Sequence, residues 1–532
     1  MAEDIPIVTG DPLYTKGGAS FTCFVLPFRY KPHPLSYYDA KNVVENDKPY
    51  YQPIPMHSHE WISRERYFTA ETAKVLFENT KWLVLPDNDW EKLDYPKFIS
   101  FYNSNRQKMT VRIHPPRLIL YEWQVNPENR SRDILDLFHT GFLVVKASFL
   151  QKRRQISPSY RDLLHFNELF RYWRVPFQGH KVSMEKSMRG TFWNTSKDFY
   201  FRRWQELLQL PLMVASDSAV YRLFPESWDR AASQWWSAEL EDLEYSVYDN
   251  KRLDDSGWIC HSDTRAFVWS CAIIKNGANA LKQMNNSEIS DDDSPINLGG
   301  WIKFLNVDLP GELEWINKAT VFEKEWGKGR FYDRWLHYGT LYGFNYHAGV
   351  MLAGPCDDPP IVHHFHDHYF DMTLLLLYLR ITLFRFSREL TRLSAEMRGT
   401  PDFKKEHREE FKILRREFAI FTNLYQFPLI SNQQQAIEMY ELIRKRMDIE
   451  ELFKEVEEEI RSSHEYFQFE EEAELNKKIH WLTIVGAILA FIGVIATVAS
   501  IPDTFEYFRD IFAEKEPVNW PVIPYPPSPK TP

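Results

Sequence analysis

An uncharged run from Trp481 to Ile501 constrains this chain more than any other feature. A bilayer core of ~30 Å is crossed by ~20 apolar residues rising ~1.5 Å each, so the run predicts a single membrane-spanning helix. Within it Thr483, Gly486, Ala490, Gly493, Thr497 and Ser500 follow at steps of three and four, which places them on one helix face. Ile484, Ile488, Leu489, Phe491, Ile492 and Ile495 fall mostly elsewhere. A stripe of small and hydroxylated residues in lipid has two uses: it lets helix backbones approach closely, or it lines a wet path that bulky groups would block. Either use needs several helices at the same depth. With one such run per chain, the pattern points to self-association within the bilayer.

Composition places the rest of the chain in ordinary globular territory. At 532 residues and 44% hydrophobic content, one large or two ordinary domains can form outside the membrane. A net charge of -10 argues against a general nucleic-acid binder, since phosphate neutralisation needs clustered Lys and Arg. The high count of rings, 18 Trp, 27 Tyr and 38 Phe, reads first as core, with stacking surfaces as the alternative. Cys23, Cys260, Cys271 and Cys356 show no paired spacing, which suits buried thiols in a reducing compartment. Met1 to Gly10 carries Glu3 and Asp4 and no basic start before an apolar stretch, so no signal peptide is expected and the N-terminal portion is expected to be cytosolic. Lys477 and Lys478 before the run and Arg509 and Lys515 after it leave charge-based orientation balanced.

Alternating or apolar runs at Phe21–Phe28, Trp82–Leu85, Phe98–Tyr102, Leu118–Val125, Gly141–Phe149 and Ala266–Ile274 predict strands, and Ala70–Asn79 and Tyr160–Tyr172 predict helices. Asn285–Pro295, with three consecutive aspartates, reads as a mobile loop. From Tyr369 the pattern turns to long helices. Asp371, Arg380 and Arg385 interrupt the apolar stretch of Phe370–Met397 within less than a membrane thickness, so that helix is expected to be buried in protein. A second helix is expected over Pro401–Tyr425. Ser431 and Gln434 read as a capping box restarting a helix near Asn432. That helix continues along a seam of Ile449, Leu452, Phe453, Val456, Ile460, His464 and Phe467 with glutamates around it, a coiled-coil-like stalk feeding the membrane run. At ~100° per residue Val456 and Thr483 fall on opposite faces of one straight helix. Phe505–Phe512 reads as an interfacial segment, followed by a Pro-rich tail. The expected domains are thus a cytosolic α/β domain over 1–368, stalk helices over 369–480, a transmembrane helix over 481–501 and a short tail over 502–532.

Two clusters outside the span carry candidate chemistry. His363, His364, His366, Asp367 and His368 follow Cys356, Asp357 and Asp358. On a helix His364 and His368 share a face one turn apart, a spacing that holds a divalent metal, although a polar helix start explains the same residues. Arg171, Tyr172, Trp173, Arg174 and His180 close a predicted helix. Arginine and aromatic side chains together clamp a phosphate and stack a base, which would suit a nucleotide-type ligand; cations also suit a helix C-terminus. Arg265, Arg330 and Arg334 are weaker candidates of the same kind. Tyr338–Gly349 lacks the G-K-[ST] that closes a P-loop. No nucleophile elbow or zincin motif is present, so a non-enzyme is expected, with a metal-dependent enzyme centred on residues 363–368 as a lesser reading.

Tyr369–Glu389, YFDMTLLLLYLRITLFRFSRE, and Asn423–Leu442, NLYQFPLISNQQQAIEMYEL, resemble the helical half of divergent CorA-like proteins, the magnesium and cobalt channel family. The likeness covers mainly Tyr369 to Ile501. It implies a funnel-shaped homopentamer with a cytosolic α/β domain, stalk helices and a pore lined by the first membrane helix, here Trp481–Ile501. The family's Gly-Met-Asn signature and second membrane helix have no counterpart. Ser500-Ile501-Pro502-Asp503-Thr504 stands in the signature's place, with Asp503 able to offer at most a carboxylate ring. Magnesium transport is therefore not carried over. Divergent CorA-like proteins also serve as membrane effectors of antiviral systems such as type III CRISPR, where a nucleotide messenger replaces metal. The expectation is a single-pass, homo-oligomeric protein of the cell membrane, its cytosolic ligand-sensing domain coupled to a pore or membrane-perturbing bundle in ion transport or antiviral defence. A non-conducting membrane-tethered binding protein is the alternative.

Overall fold

A computed structural model describes most of 5–121, 139–171, 207–223, 265–275, 298–308, 325–396 and 404–513. The chain divides into two compact units, Met1–Glu458 and Glu459–Pro532. The first is organised by an eleven-stranded sheet. In chain order its strands are β1 (Phe21–Tyr30), β2 (Gln52–Pro53), β3 (Lys81–Val84), β4 (Phe98–Tyr102), β5 (Lys108–Ile113) and β6 (Arg117–Leu120). They continue with β7 (His139–Leu150), β8 (Phe267–Ile273), β9 (Phe331–Tyr332), β10 (Thr340–Phe344) and β11 (Ala348–Ala353). The spatial order is β9-β10-β11-β8-β1-β7-β6-β3-β2, with β4 and β5 attached along β7. β8 and β11 run parallel; the other pairs are antiparallel.

Sequence explains the sheet's central irregularity. β5 and β6 lie along the same edge of β7 in two pieces, Thr110 opposite Leu150 and Arg117 opposite Val144. Pro115 and Pro116 separate them, and neither has an N–H to give to the ladder. β8, FVWSCAI, is buried at every residue, the pattern of a strand covered on both faces.

The helices that bear on the sheet and on the apolar run are α1 (His59–Tyr67), α2 (Tyr160–Phe170), α3 (Leu298–Asn306), α4 (Pro360–His366), α5 (His368–Glu396), α6 (Lys404–Tyr425), α7 (Gln434–Arg446) and α8 (Ile449–Ala513). Strand alternation sends Thr22 and Phe24 of β1 to one face and Phe21, Cys23 and Val25 to the other. On the first face Ser159 and Asp162 form a reciprocal capping box that starts α2. Phe166 of α2 packs on Phe24 and Phe149 at ring distances of 5.7 and 5.5 Å. Thr22 donates to Asn167 at 2.7 Å, and Tyr160 donates to the Gly300 carbonyl of α3 at 3.1 Å. On the second face Phe365 of α4 stacks on Trp269 at 4.1 Å, whose indole N–H donates to the Phe365 carbonyl at 3.1 Å. Trp269 lies directly against Gly349 of β11, so a Cβ there would collide with the indole. The sheet is therefore a middle layer between helices.

Several expectations about elements shift. Tyr160–Tyr172 ends as a helix at Phe170, and of Leu118–Val125 the described residues form a strand over Arg117–Leu120 with a turn at Tyr121; Tyr172 and residues 122–125 lie outside the described residues, as does Asn285–Pro295. Ser431 does not cap a helix: its hydroxyl donates to the carbonyl of Tyr67, the last residue of α1, at 2.5 Å, and α7 begins after Gln433 with no side-chain cap. The helix expected to run unbroken from Asn432 is divided, because Asp448 takes φ +49° and ends α7 before α8 starts. In the other direction α8 runs through Pro502 to Ala513, so the short tail and separate interfacial segment expected after Ile501 begin as more of the same helix.

Candidate functional site

The apolar run forms the middle of α8. Leu475–Thr497 has a mean hydropathy of 2.3 with none of its most apolar window buried. Trp481, Leu489 and Phe491 are 65%, 62% and 67% exposed, a continuous apolar surface that water does not tolerate at this size. Thr483, Gly486, Ala490, Gly493 and Thr497 all lack full burial, and a Cβ built on Gly486 or Gly493 meets nothing within 4 Å. Among the described residues, packing therefore requires neither glycine. The Thr483 and Thr497 hydroxyls donate to the carbonyls of Ile479 and Gly493, each at 2.8 Å. Such back-bonding hides the hydroxyl proton within the helix. The backbone at Ser500 and Asp503 is helical; their side chains lie outside the described residues.

A second constellation is buried in the first unit, where β1, β6 and β7 face the junction of α4 and α5. Asp371 is fully buried and accepts from Arg64 Nε at 2.9 Å and from Arg64 Nη2. The Arg64 guanidinium lies over Trp61 and Trp82 at 4.7 and 4.9 Å, which shields the pair from water. Burial pushes the Asp371 carboxyl up to about 6, with Arg64 pulling against it. Next to it, Asp367 Oδ1 is 2.8 Å from His366 Nδ1, and His366 Nε2 is 3.4 Å from Lys146 Nζ. Burial pulls His366 down to about 4, so the ring is neutral, with Nδ1–H donating to Asp367 and Nε2 accepting from Lys146 Nζ. Burial opposes charge on Asp367, yet His366, Arg64 and Arg117 together hold that carboxyl well below the ordinary range. Burial lowers Lys146 and lifts the neighbouring Cys23 thiol to about 11, which leaves the thiol protonated and unreactive at neutral pH.

The two candidate metal ligands meet as helix spacing predicts. His364 and His368 have ring centroids 4.8 Å apart, and Tyr67 lies 4.2 Å from His368. Both Nδ1 atoms are buried without a hydrogen-bond partner among the described residues. Burial lowers both histidines, His368 to about 4. Among the described residues no group of three or more His, Cys, Asp or Glu side chains converges as a metal site requires.

Of the group proposed to clamp a phosphate, Arg171 caps α2, is 4% exposed and pairs with Glu168 at 2.6 Å. It also donates to the Asn306 carbonyl at 3.3 Å, tying α2 to the end of α3. Tyr172, Trp173, Arg174 and His180 lie outside the described residues. Arg334 pairs with Glu438 at 2.7 Å. Lys146 and Arg64 are absent from the residues that sequence patterns single out, although a lysine inside the apolar strand GFLVVKASFL, half-buried between buried neighbours, is a usable signal. Compared with protein-family models, with curated proteins and with solved structures, the chain matches none.

Proposed function

We propose that this chain is a single-pass membrane protein whose cytosolic α/β unit senses a ligand and whose apolar helices gather into a bundle that perturbs or permeates the bilayer, in the manner of a divergent CorA-like protein. The observation that carries the reading is the 0% burial of an apolar segment of mean hydropathy 2.3 at whose glycines an added Cβ meets nothing within 4 Å among the described residues. Lipid covers the bulky residues, and neighbouring copies cover the small stripe. The reading is non-catalytic, because the densest titratable cluster is spent on buried pairs between Arg64, Asp371, His366 and Asp367.

A second reading, a non-conducting bundle or tether, draws support from the back-bonded hydroxyls of Thr483 and Thr497. They leave the stripe with little to offer water and suit dry helix packing. Dye-loaded vesicles separate the two. Purified full-length protein is expected to release the dye, and Gly486→Leu with Gly493→Leu to abolish release and self-association while the α/β unit keeps its unfolding midpoint. Self-association without release would favour the tether; a monomeric wild-type chain in bilayers would sink both.

A further inference from the structure

Asp371, Arg380 and Arg385 share one task in the sequence pattern, keeping α5 out of lipid. The structure separates two of them. Asp371 is half of the buried pair with Arg64. Arg380 lies at the wall of a narrow, open groove. Leu377, Arg380, Ile381 and Phe384 form that wall, since residues at steps of three and four share a helix face. The opposite side consists of Val25 and Pro27 of β1, Phe142 of β7, Phe267 of β8 and the residues leading into β8 and β11.

Three cationic or protonatable side chains, Arg265, His347 and Arg380, line this groove, and among the described residues no carboxylate does. Arg380 Nη1 donates to the Tyr346 carbonyl at 3.0 Å. Among the described residues no carboxylate pairs with it. Its guanidinium has five donors in a planar fork, and the fork is held in place by Tyr346 and Phe384, whose ring centroids lie 4.5 and 5.4 Å away. Burial alone pulls its pKa down to about 10, so it remains charged at neutral pH. An arginine fixed by rings, partly desolvated and facing no carboxylate is a strong donor to a planar or tetrahedral oxyanion. The apolar and aromatic remainder of the lining suits a flat hydrophobic group attached to that anion.

We propose that this groove binds a small oxyanion joined to a flat ring, of the aryl phosphate class, with the anion on Arg380 and the ring against Phe384 and Tyr346. The site deepens the ligand-sensing reading and depends on it only for its biological role. Titration calorimetry on the full-length protein in detergent tests it with phenyl phosphate, inorganic phosphate and phenol as probes. Phenyl phosphate is expected to bind at least ~10-fold more tightly than inorganic phosphate, and phenol to give no heat. Arg380→Gln is expected to lose at least ~10-fold, and Arg380→Lys, which keeps charge without the fork, to fall between. Should Arg380→Gln fail to fold, Phe384→Ala keeps the claim at risk: it must weaken phenyl phosphate and leave inorganic phosphate unchanged. No binding by the wild type, equal binding of phenol, or unaltered affinity in a folded Arg380→Gln protein overturns the site. Binding as proposed, but with no effect on vesicle leakage, overturns the sensing reading and leaves the site standing.

Discussion

Two helices of this chain are rich in the same residues and meet opposite fates. Met372, Leu374, Leu375 and Leu376 of α5 are 0% exposed, enclosed by the sheet-bearing unit. Leu482, Ile488 and Leu489 of α8 are 53–63% exposed among the described residues. Apolar content alone does not distinguish the two. Charges do: Asp371 has Arg64 waiting for it, and Arg380 has the groove and the Tyr346 carbonyl. A helix that carries such groups needs a protein surface built to receive them. The run Trp481–Ile501 carries none, and is long and apolar enough to cross a bilayer. Ionisable side chains thus act as addresses, committing one apolar helix to the folded core, while the proposed function assigns the uncharged one to the bilayer.

Acid should break the comparison most completely. His114, His165, His366 and His368 are lowered by burial to about 3, 4, 4 and 4, from an unfolded value near 6.5. Between those folded and unfolded values the unfolded chain binds more protons, so stability rises with pH and is lost as pH falls from about 6.5 towards 4. Asp371 runs the other way: raised to about 6 from 3.8, it favours the native state as pH falls through that window. Four groups oppose one, at about 1.4 kcal/mol per pH unit for each proton, so the expected outcome is acid unfolding of the α/β unit below about pH 5. Near-ultraviolet dichroism, dominated by its buried tryptophans, measures this, while far-ultraviolet helicity of α8 is expected to persist if it is held in the bilayer as proposed. Rising stability down to about pH 4 would show that the histidines do not remain neutral when folded.

A smaller effect is expected from Asp371→Ala. It leaves the Arg64 cation in a site enclosed by Trp61 and Trp82, at a cost of about 3–5 kcal/mol in chemical denaturation. Arg64→Met with Asp371→Leu should restore most of that loss; an equally unstable double variant would mean that the pair is not what seats α5. Smaller still is Leu489→Arg, which places a charge near the middle of the apolar run and should disfavour insertion by about 2.5–3.5 kcal/mol. Alkaline extraction of membranes would report it as a shift of protein into the soluble fraction. An unshifted distribution would remove the span from the bilayer and with it the contrast between the two helices.

Much of the architecture is legible in the chain because it follows short-range rules. Strand alternation marks Phe21–Phe28 and Ala266–Ile274, and both are strands. The interrupted apolar stretch after Phe370 marks a buried helix, and α5 is one. His364 and His368 come together as the one-turn spacing suggests, although they stand on two helices that meet at Asp367. Ser431 shows where such rules stop: its spacing to Gln434 satisfies a capping pattern, but the Tyr67 carbonyl, distant in sequence, takes the hydroxyl. Arg171 has the sequence context of a ligand-binding cation, yet Glu168 and the Asn306 carbonyl hold it.

By itself the sequence determined that one segment, Trp481–Ile501, carries no charge over a membrane thickness and places its small residues on one face, since both properties depend only on helical rise and turn. It determined likewise that α5 belongs in protein. Only the tertiary structure decided which charges have partners. Arg64 and Asp371 are separated by |i−j| = 307, and no local rule could pair them or leave Arg380 facing a groove without a carboxylate. The physical reason is that a charge's cost and use depend on what lies within a few ångströms of it, and for this chain those neighbours come from strands and helices hundreds of residues apart.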